Sequence, residues 1–253
     1  MYIDTHCHLF KEYFDNICEV IKRASDNETN LMITNGCDKK SNEEVLETIL
    51  KHDEVYGAIG YHPTETYDIT TEDLKFLEEK INSRKIVAIG EIGLDFHYDN
   101  TDKEKQIFYF KKQIELAIKY NKPMIIHSRD AISSTYETLK EYSNYNIKGI
   151  IHAYSGSIEM AHQFIKLGFV LGIGGVATFK NAKTIKEVIK EIDLKYIVLE
   201  TDAPYLTPEP YRKHKNEPLY IKEIAKKIAE IKDVELDEVA RVTTSTARRI
   251  FDF

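Results

Sequence analysis

The residues of this 253-residue chain best suited to chemistry stand near its start, in the segment MYIDTHCHLF. His6 and His8 flank Cys7, and alternate side chains of a β-strand share a face. Asp4 is therefore expected on the face of the two histidines, with Cys7 packed in the core on the opposite face. A face with a carboxylate and two imidazoles suits a metal ion, provided that other segments supply further ligands.

Residues of the same types recur at the ends of later apolar segments: Glu91, His127, His152 and Asp202. Each has a structural alternative when taken alone. His152 could be hydrogen-bonded scaffold, and Glu91 could be an ion-pair partner of Arg129. Lone charges are costly to bury, so four histidines and two carboxylates at corresponding ends of different strands favour a shared site.

The number and type of these six groups indicate what they bind. A structural zinc ion needs only four ligands, usually including thiolates. Six nitrogen and oxygen ligands suit two divalent ions about 3.5–4 Å apart that share a carboxylate and leave positions open for water and substrate. The residues therefore predict a metal-dependent hydrolase. A non-catalytic metal-binding protein is the alternative, but it has no need of open positions.

The elements that must position these residues alternate along the chain. Charged segments with helical period separate eight short apolar runs: YIDTHCHL, LMITNG, YGAIG, IVAIGEIGLD, PMIIHS, KGIIHAYS, FVLGIGG and YIVLETDAP. In one helical segment, TDKEKQIFYFKKQIELAIKY, Thr101 followed by Glu104 predicts a capping box. Strands alternating with helices predict a parallel sheet, and eight strands can close a (β/α)8 TIM-type barrel. A doubly wound open sheet is the structural alternative.

Two more amphipathic helices are predicted after the last strand, in NEPLYIKEIAKKIAEI and ELDEVARVTTSTARRIF. No linker or low-complexity tract interrupts the chain, so residues 1–253 are expected to form a single α/β barrel domain with extra C-terminal helices. In such a barrel the loops at the carboxyl ends of the strands carry the chemistry. The histidines and carboxylates above fall at those ends.

The composition narrows the class of protein. A content of 42% hydrophobic and 30% charged residues is typical of a globular chain, and no stretch resembles a signal peptide or a membrane span. Three cysteines without zinc-ribbon spacing suit reduced thiols, so a cytoplasmic protein is expected. The net charge of -7 argues against a nucleic-acid coat protein but allows a phosphodiester to enter a local metal site. No obligate protein partner is evident.

The motifs DTHCHL, GYHP, GEIGLD, PMIIHSRDA, HAYSG, LETDAPYL and NEP occur in this order over nearly the whole chain. In them the sequence resembles the TatD family of metal-dependent deoxyribonucleases, within the amidohydrolase-like superfamily. The resemblance implies hydrolysis of DNA phosphodiesters, typically from single-stranded ends, with two Mg, Mn or Zn ions. It implies that Glu91 bridges the two ions in a site made by the following residues: His6, His8, Glu91, His127, His152 and Asp202.

The resemblance also suggests roles for individual residues. Asp202 would orient the attacking water and accept its proton. Arg129 could bind phosphate or form a structural salt bridge, and His62 could contact phosphate or cap its loop. Asp95 and Glu200 are expected to orient the metal-binding imidazoles from behind.

Two further predictions concern the binding of the substrate. Tyr98 and Tyr154 are placed to stack on bases. The basic segment from Arg212 to Lys215 follows the eighth strand and is expected to be either a solvated face or a basic rim for phosphates. A hydrolase of C–N or ester bonds, including deacylation of aminoacyl-nucleic acids, is the alternative activity. Many such barrels use a carbamylated lysine as the bridge, and Glu91 at that place favours the nuclease.

Overall fold

The computed structural model describes residues 1–253 and contains one eight-stranded sheet in which the strands follow one another in chain order. All seven neighbouring pairs are parallel. The strands are β1 Tyr2–Cys7, β2 Thr29–Asn35, β3 Val55–Ile59, β4 Ile86–Asp95, β5 Met124–Arg129, β6 Gly149–Ile151, β7 Phe169–Ile173 and β8 Ile197–Leu199. The predicted (β/α)8 barrel is confirmed, and the open sheet is excluded by the contacts between β1 and β8 described below.

Helices separate the strands and follow the last one, as the amphipathic segments predict. They are α1 Ile17–Asp26, α2 Lys39–Lys51, α3 Thr71–Lys80, α4 Lys103–Lys119, α5 Ile132–Lys140, α6 Ile158–Lys166, α7 Lys183–Glu191, α8 Ile221–Lys232 and α9 Leu236–Phe251. Four short 3-10 turns lie at Pro63–Glu65, Gly175–Thr178, Leu194–Tyr196 and Pro218–Tyr220. No helix has both the length and the apolarity that a membrane span requires.

The predicted capping box at the start of α4 is wrong. The helix begins at Lys103, and its N-cap is Asp102, whose carboxylate accepts a hydrogen bond from the backbone nitrogen of Lys105 at 3.0 Å. Aspartate is as good an N-cap as threonine, because its side-chain oxygen can accept from the same unpaired amide. The sequence TDKE therefore offers two possible N-cap residues, Thr101 and Asp102, and the helix uses Asp102.

The barrel closes where β1 meets β8. The Thr5 hydroxyl donates to the Leu199 carbonyl at 3.0 Å, and the backbone nitrogen of Asp202 donates to the His6 carbonyl at 2.9 Å. The backbone nitrogen of His8 in turn donates to the Ala203 carbonyl at 2.8 Å. These bonds bring His6 at the end of the first strand, and His8 directly after it, beside the carboxylate of Asp202, which follows the last strand.

An apolar layer fills the barrel below the polar residues. Every strand contributes one buried residue to it: Ile3, Ile33, Ala58, Ala88, Ile125, Ile150, Val170 and Val198. Helix α9 adds Ala247, Ile250 and Phe251 to the same cluster. The remaining buried apolar side chains form two clusters of 35 and 17 residues, which include outward-facing strand residues and the inner faces of the helices. The barrel interior is thus a packed floor on which the polar site rests.

Local departures from regular pairing orient two of the site residues. The register between β4 and β5 shifts between Ile89 and Ile92, and both of these side chains pack in the larger outer cluster. Glu91 lies between them and faces the site, so strict alternation along β4 does not hold. Gly93 then adopts φ +148°, and a Cβ atom there would lie 2.0 Å from the His127 carbonyl oxygen. Glycine therefore lets β4 approach β5 closely at the level of the site.

Candidate metal centre

His6 of β1 and His8, which directly follows this strand, form one side of the site. His6 is fully buried, and its Nε2 lies 3.2 Å from His8 Nε2. Both nitrogens face the same two carboxylates: Glu91 Oε2 at 3.4 and 3.8 Å, and Asp202 Oδ1 at 3.8 and 3.5 Å. Ligands bound about 2.0–2.2 Å from one ion at angles of roughly 90–110° lie about 3–3.6 Å apart. The separations of 3.2, 3.4 and 3.5 Å fall within this range and the two of 3.8 Å lie slightly above it, so the four side chains surround a space close to the size of one divalent cation.

The carboxylate of Glu91 faces two different sets of imidazoles. Its Oε2 faces His6 and His8, as described above. Its Oε1 lies 2.9 Å from His127 Nδ1, 3.8 Å from His62 Nε2 and 3.9 Å from His152 Nε2. A carboxylate with one oxygen toward each of two nitrogen clusters has the geometry needed to bridge two cations.

His152 connects the metal centre to a carboxylate behind it. Its ring stacks on that of His6, with centroids 3.5 Å apart, and its Nε2 lies 3.8 Å from Asp202 Oδ1. Its Nδ1 lies 3.1 Å from Oε1 of the fully buried Glu200, which also accepts from the backbone nitrogen of Ala153 at 2.6 Å. Glu200 thus lies where it can hold the His152 ring in a fixed orientation.

His127 lies between two carboxylates. In addition to its contact with Glu91, its Nε2 lies 3.1 Å from Asp95 Oδ2. The third neighbour is His62, whose ring centroid lies 4.2 Å from that of His127. Three groups of side chains are therefore close enough to share an ion: His6–His152–Asp202, His6–His8–Glu91 and His62–Asp95–His127. Asp95 and His62, which the sequence placed outside the metal ligands, belong to the third group.

The loop residue His62 caps the turn that follows it. Its Nδ1 lies 3.2 Å from the backbone nitrogen and 2.7 Å from the hydroxyl of Thr64, at the start of the 3-10 turn Pro63–Glu65. Burial and the neighbouring His127 lower the pKa of His62 to about 3 despite the nearby carboxylates. The ring is therefore neutral at physiological pH, and its Nε2 faces the centre. The capping role and a contact with substrate are compatible in this geometry.

Burial and charge act in opposite directions on the carboxylates. Burial would raise the pKa of Glu91, but His6 and His127 hold it well below its ordinary value. Asp202 follows the same pattern, with its pKa lowered by His152 and His8. Conversely, burial would lower the pKa of His152, but Glu200 and Asp202 raise it to about 9. Two ionised buried carboxylates facing ring nitrogens form an environment that favours a bound cation.

A cleft of about 530 Å³ opens above these groups. Arg129 and Tyr98 lie on one wall, with the guanidinium 5.8 Å from the ring centroid. Arg129 is exposed and forms no ion pair with any carboxylate of the protein, which removes the salt-bridge alternative for this residue. Tyr13 and Tyr205 lie on the opposite wall, and the Tyr205 hydroxyl donates to that of Tyr13 at 2.8 Å.

Sequence reasoning missed one neighbour of the metal centre. Cys37 Sγ lies 3.7 Å from Glu91 Oε2 and 3.9 Å from His8 Nδ1, and the thiol lines the cleft. The same nitrogen of His8 lies 3.0 Å from the Asn35 carbonyl oxygen, which leaves Nε2 free for a metal. The signal available in the sequence was the place of Cys37, two residues beyond the end of β2.

Other sequence-predicted residues lie away from the centre. Tyr154 is 3% exposed and its hydroxyl donates to the Ser157 carbonyl, so it does not present its ring to the main cleft. Arg212 donates to the Thr207 carbonyl at 2.9 Å and lies over the Phe179 ring. The remaining histidines do not line the cleft: His52, His97, His162 and His214.

The chain as a whole resembles known proteins. The model of the family described as "TatD related DNase" matches residues 3–252. The uncharacterized metal-dependent hydrolase YabD of Bacillus subtilis is 43% identical over 252 residues, which cover 99% of each chain. The crystal structure of the TatD homologue YjjV from Escherichia coli has a TM-score of 0.94 at 29% identity and covers 100% of this chain and 98% of that one. A TatD family hydrolase of Entamoeba histolytica gives 0.86 at 26% identity, with 99% and 97% covered.

Proposed function

Since this chain belongs to the TatD-related DNase family and is a metal-dependent hydrolase, we propose that it cleaves phosphodiester bonds of DNA, starting from single-stranded ends. The observation that carries the proposal is the position of Glu91, whose two oxygens face two separate imidazole clusters. A bridged pair of cations is the arrangement used for in-line displacement at phosphorus.

The side chains present fit such a pair. His6, His8 and Asp202 would hold one ion and His127 the other, with Glu91 between them. His152 Nε2 lies 3.8 Å from Asp202 Oδ1 and 3.9 Å from Glu91 Oε1, between the two positions. His62 and Asp95 lie close enough to His127 to complete or support the second position. Imidazole together with carboxylate suits Zn and Mn, and Mg less naturally. When bound, divalent cations supply Lewis-acid chemistry, because they polarise a phosphoryl oxygen and make a nearby water more acidic.

The protein's own side chains would bind the phosphate, orient the water and accept its proton. Asp202 is ionised, lines the cleft and faces both His6 and His8, so it is placed to orient a water and to accept its proton. Arg129 can pair with a phosphate oxygen, since no carboxylate of the protein occupies it. His62 presents its Nε2 to the centre, where it can contact a second phosphate oxygen or the leaving group.

The cleft supports a short single-stranded end as the substrate. Around the metal-facing groups, the rim of the cleft carries two basic residues, Lys40 and Arg129. It carries four acidic residues: Glu12, Asp38, Glu44 and Glu65. Such a rim disfavours a long polyanion, while a terminal nucleotide brings little charge. Tyr98 on one wall and the Tyr13–Tyr205 pair on the other present rings on which unpaired bases can stack.

A substrate panel tests the proposal. Single-stranded DNA, duplex DNA, RNA and an aminoacyl ester are incubated with the enzyme with and without Mn, together with an Asp202→Asn variant as the control for contaminating nucleases. We expect Mn-dependent release of mononucleotides from single-stranded DNA, lost in the variant. Turnover of the aminoacyl ester but of no DNA would instead support the alternative activity.

A further inference from the structure

A second cavity, here called the side chamber, lies next to the metal centre. It has a volume of about 210 Å³ and lies among the loops that follow β6, β7 and β8 and the start of α7. Asp202 lines both the side chamber and the main cleft, and Glu200, which supports His152, lines the chamber as well. A substrate held at the metal centre can therefore reach into this space.

The walls of the side chamber are mainly apolar. Tyr154, Val176, Ala177 and Leu206 contribute to them, and the hydroxyl of Tyr154 is already bonded to the Ser157 carbonyl. At ~30 Å³ for each water, the volume corresponds to roughly seven water molecules. That space suits one flat ring system and is too small for a base pair.

Several polar side chains of the chamber have no hydrogen-bond partner within the protein: Ser155, Asn181, Lys183 and Thr184. Glu200 also lines the chamber, but its unpaired Oε2 is buried against Gly172. Asn181 lies at the chamber with an exposed side-chain amide that can both donate and accept. Apolar walls with a few unpaired polar groups are characteristic of a site for a heteroaromatic ring.

We propose that the side chamber binds the nucleobase next to the scissile phosphate. This inference rests on the proposed function, because it takes the phosphodiester to lie at the metal centre beside Asp202. The base enters between Tyr154 and Val176, and its polar edge meets the exposed amide of Asn181. The chamber thus selects substrates that carry an unpaired base at this position, whereas an abasic sugar phosphate gains nothing from it.

Substitutions that change only the chamber test this assignment. Val176 is partly buried, and Val176→Phe fills the space, whereas Val176→Ala leaves it open as the matched control. Asn181→Ala removes the free amide, with Asn144→Ala, at an exposed position remote from the chamber, as its control. None of these residues belongs to the metal centre, so the Mn-loaded enzyme should hydrolyse the phosphodiester of a tetrahydrofuran abasic dinucleotide, which carries no aromatic ring, at the wild-type rate.

The decisive measurement is the affinity of the Mn-loaded enzyme for deoxycytidine 5′-monophosphate relative to deoxyribose 5-phosphate, measured by calorimetry. We expect the wild type and Val176→Ala to prefer the nucleotide by about tenfold or more, Val176→Phe to lose the preference, and Asn181→Ala to weaken it. A wild type without preference, or Val176→Phe that keeps it, would overturn the proposal. Failure to hydrolyse any phosphodiester, with the base preference intact, would defeat the proposed activity but not the base site.

Discussion

Thr201 donates two hydrogen bonds to the carboxylate of Asp4, one from its backbone nitrogen at 2.9 Å and one from its hydroxyl. Both residues are fully buried, and Asp4 also accepts from the backbone nitrogen of His6 at 3.2 Å. The pairing register of β1 shifts between Asp4 and Cys7, so the expected placement of Asp4 on the same strand face as His6 and His8 does not hold. Asp4 joins β1 to the residues after β8 and thereby fixes the position of His6 relative to Asp202.

The first prediction concerns this link. Thr201→Val keeps the shape of the side chain but leaves one oxygen of the buried Asp4 carboxylate without its donor. We expect a loss of about 1–3 kcal/mol in the free energy of unfolding, because an unsatisfied buried polar group costs that much. Metal affinity should fall as well, since His6 and Asp202 lose their common support.

Thr243→Val is the matched control for that variant. Thr243 is also buried, but its hydroxyl bonds to the Val239 carbonyl within α9, at the opposite end of the barrel from the site. Denaturant titration with and without Mn separates the two effects. Equal metal affinity in both variants would show that Asp4 and Thr201 only stabilise the fold.

A second prediction follows from the bridging position of Glu91. Glu91→Gln is nearly isosteric but lacks the negative charge that two cations require. We expect kcat/KM to fall by at least a hundredfold with the fold intact, while Glu12→Gln on the exposed rim of the cleft changes it little. A variant that keeps more than about a tenth of the wild-type kcat/KM would refute the bridging role.

The third prediction is the metal content. Elemental analysis should find two divalent ions in each fully active chain, and chelation should abolish activity reversibly. His6→Ala with His8→Ala should remove one ion, and His127→Ala with His152→Ala should weaken the other. His162→Ala, at an exposed position, is the control. Full activity with a single ion would contradict the binuclear arrangement.

Much of this site was accessible from the sequence because barrel geometry is strongly constrained. In a parallel sheet the carboxyl ends of all strands meet at one edge, so polar residues at strand ends must converge. This is why His127 and His152 could be placed beside residues of β1 without knowing any contact. The boundaries were less accurate: β8 ends at Leu199, three residues before Asp202.

The alternation of side chains along a strand and the local spacing of residues could not reveal the contacts that depend on strand pairing or on distant loops. The register shift that turns Glu91 inward depends on how β4 pairs with β5, which no single strand encodes. Cys37 approaches the site through the turn after β2, and the Tyr13–Tyr205 wall joins loops that are far apart in the chain. Such contacts between loops arise only when the barrel has closed.

A fourth prediction separates the two roles considered for Arg129. Because the guanidinium has no carboxylate partner in the protein, Arg129→Gln should lower kcat/KM on DNA about 10–100-fold while leaving the melting temperature unchanged. Arg23→Gln is the opposite control, since Arg23 makes two hydrogen bonds of 2.9 Å to Glu217 away from the cleft. Lower stability without lower activity in Arg129→Gln would show that the residue is structural.

The last prediction concerns the basic segment after β8, whose residues have unequal surroundings. Arg212 is held by the Thr207 carbonyl and the Phe179 ring, while Lys215 donates to the carbonyl of Tyr13, whose ring lines the cleft. Lys213 is exposed. The two lysines are therefore the candidates for contacts with phosphates that flank the scissile bond, and the contacts of Arg212 are those of a structural residue.

Salt dependence of binding distinguishes these cases. Each phosphate contact contributes about 0.7 to the log–log salt slope for a single strand. Replacing Lys213 and Lys215 together by Ala should flatten the slope by roughly 1.4, raise KM and leave kcat on methyl p-nitrophenyl phosphate nearly unchanged. Arg212→Ala should keep the wild-type slope and lower stability instead. If the double variant binds single-stranded DNA with the wild-type slope, the lysines do not contact the substrate. The protein would then bind DNA through Arg129, His62 and the metal centre.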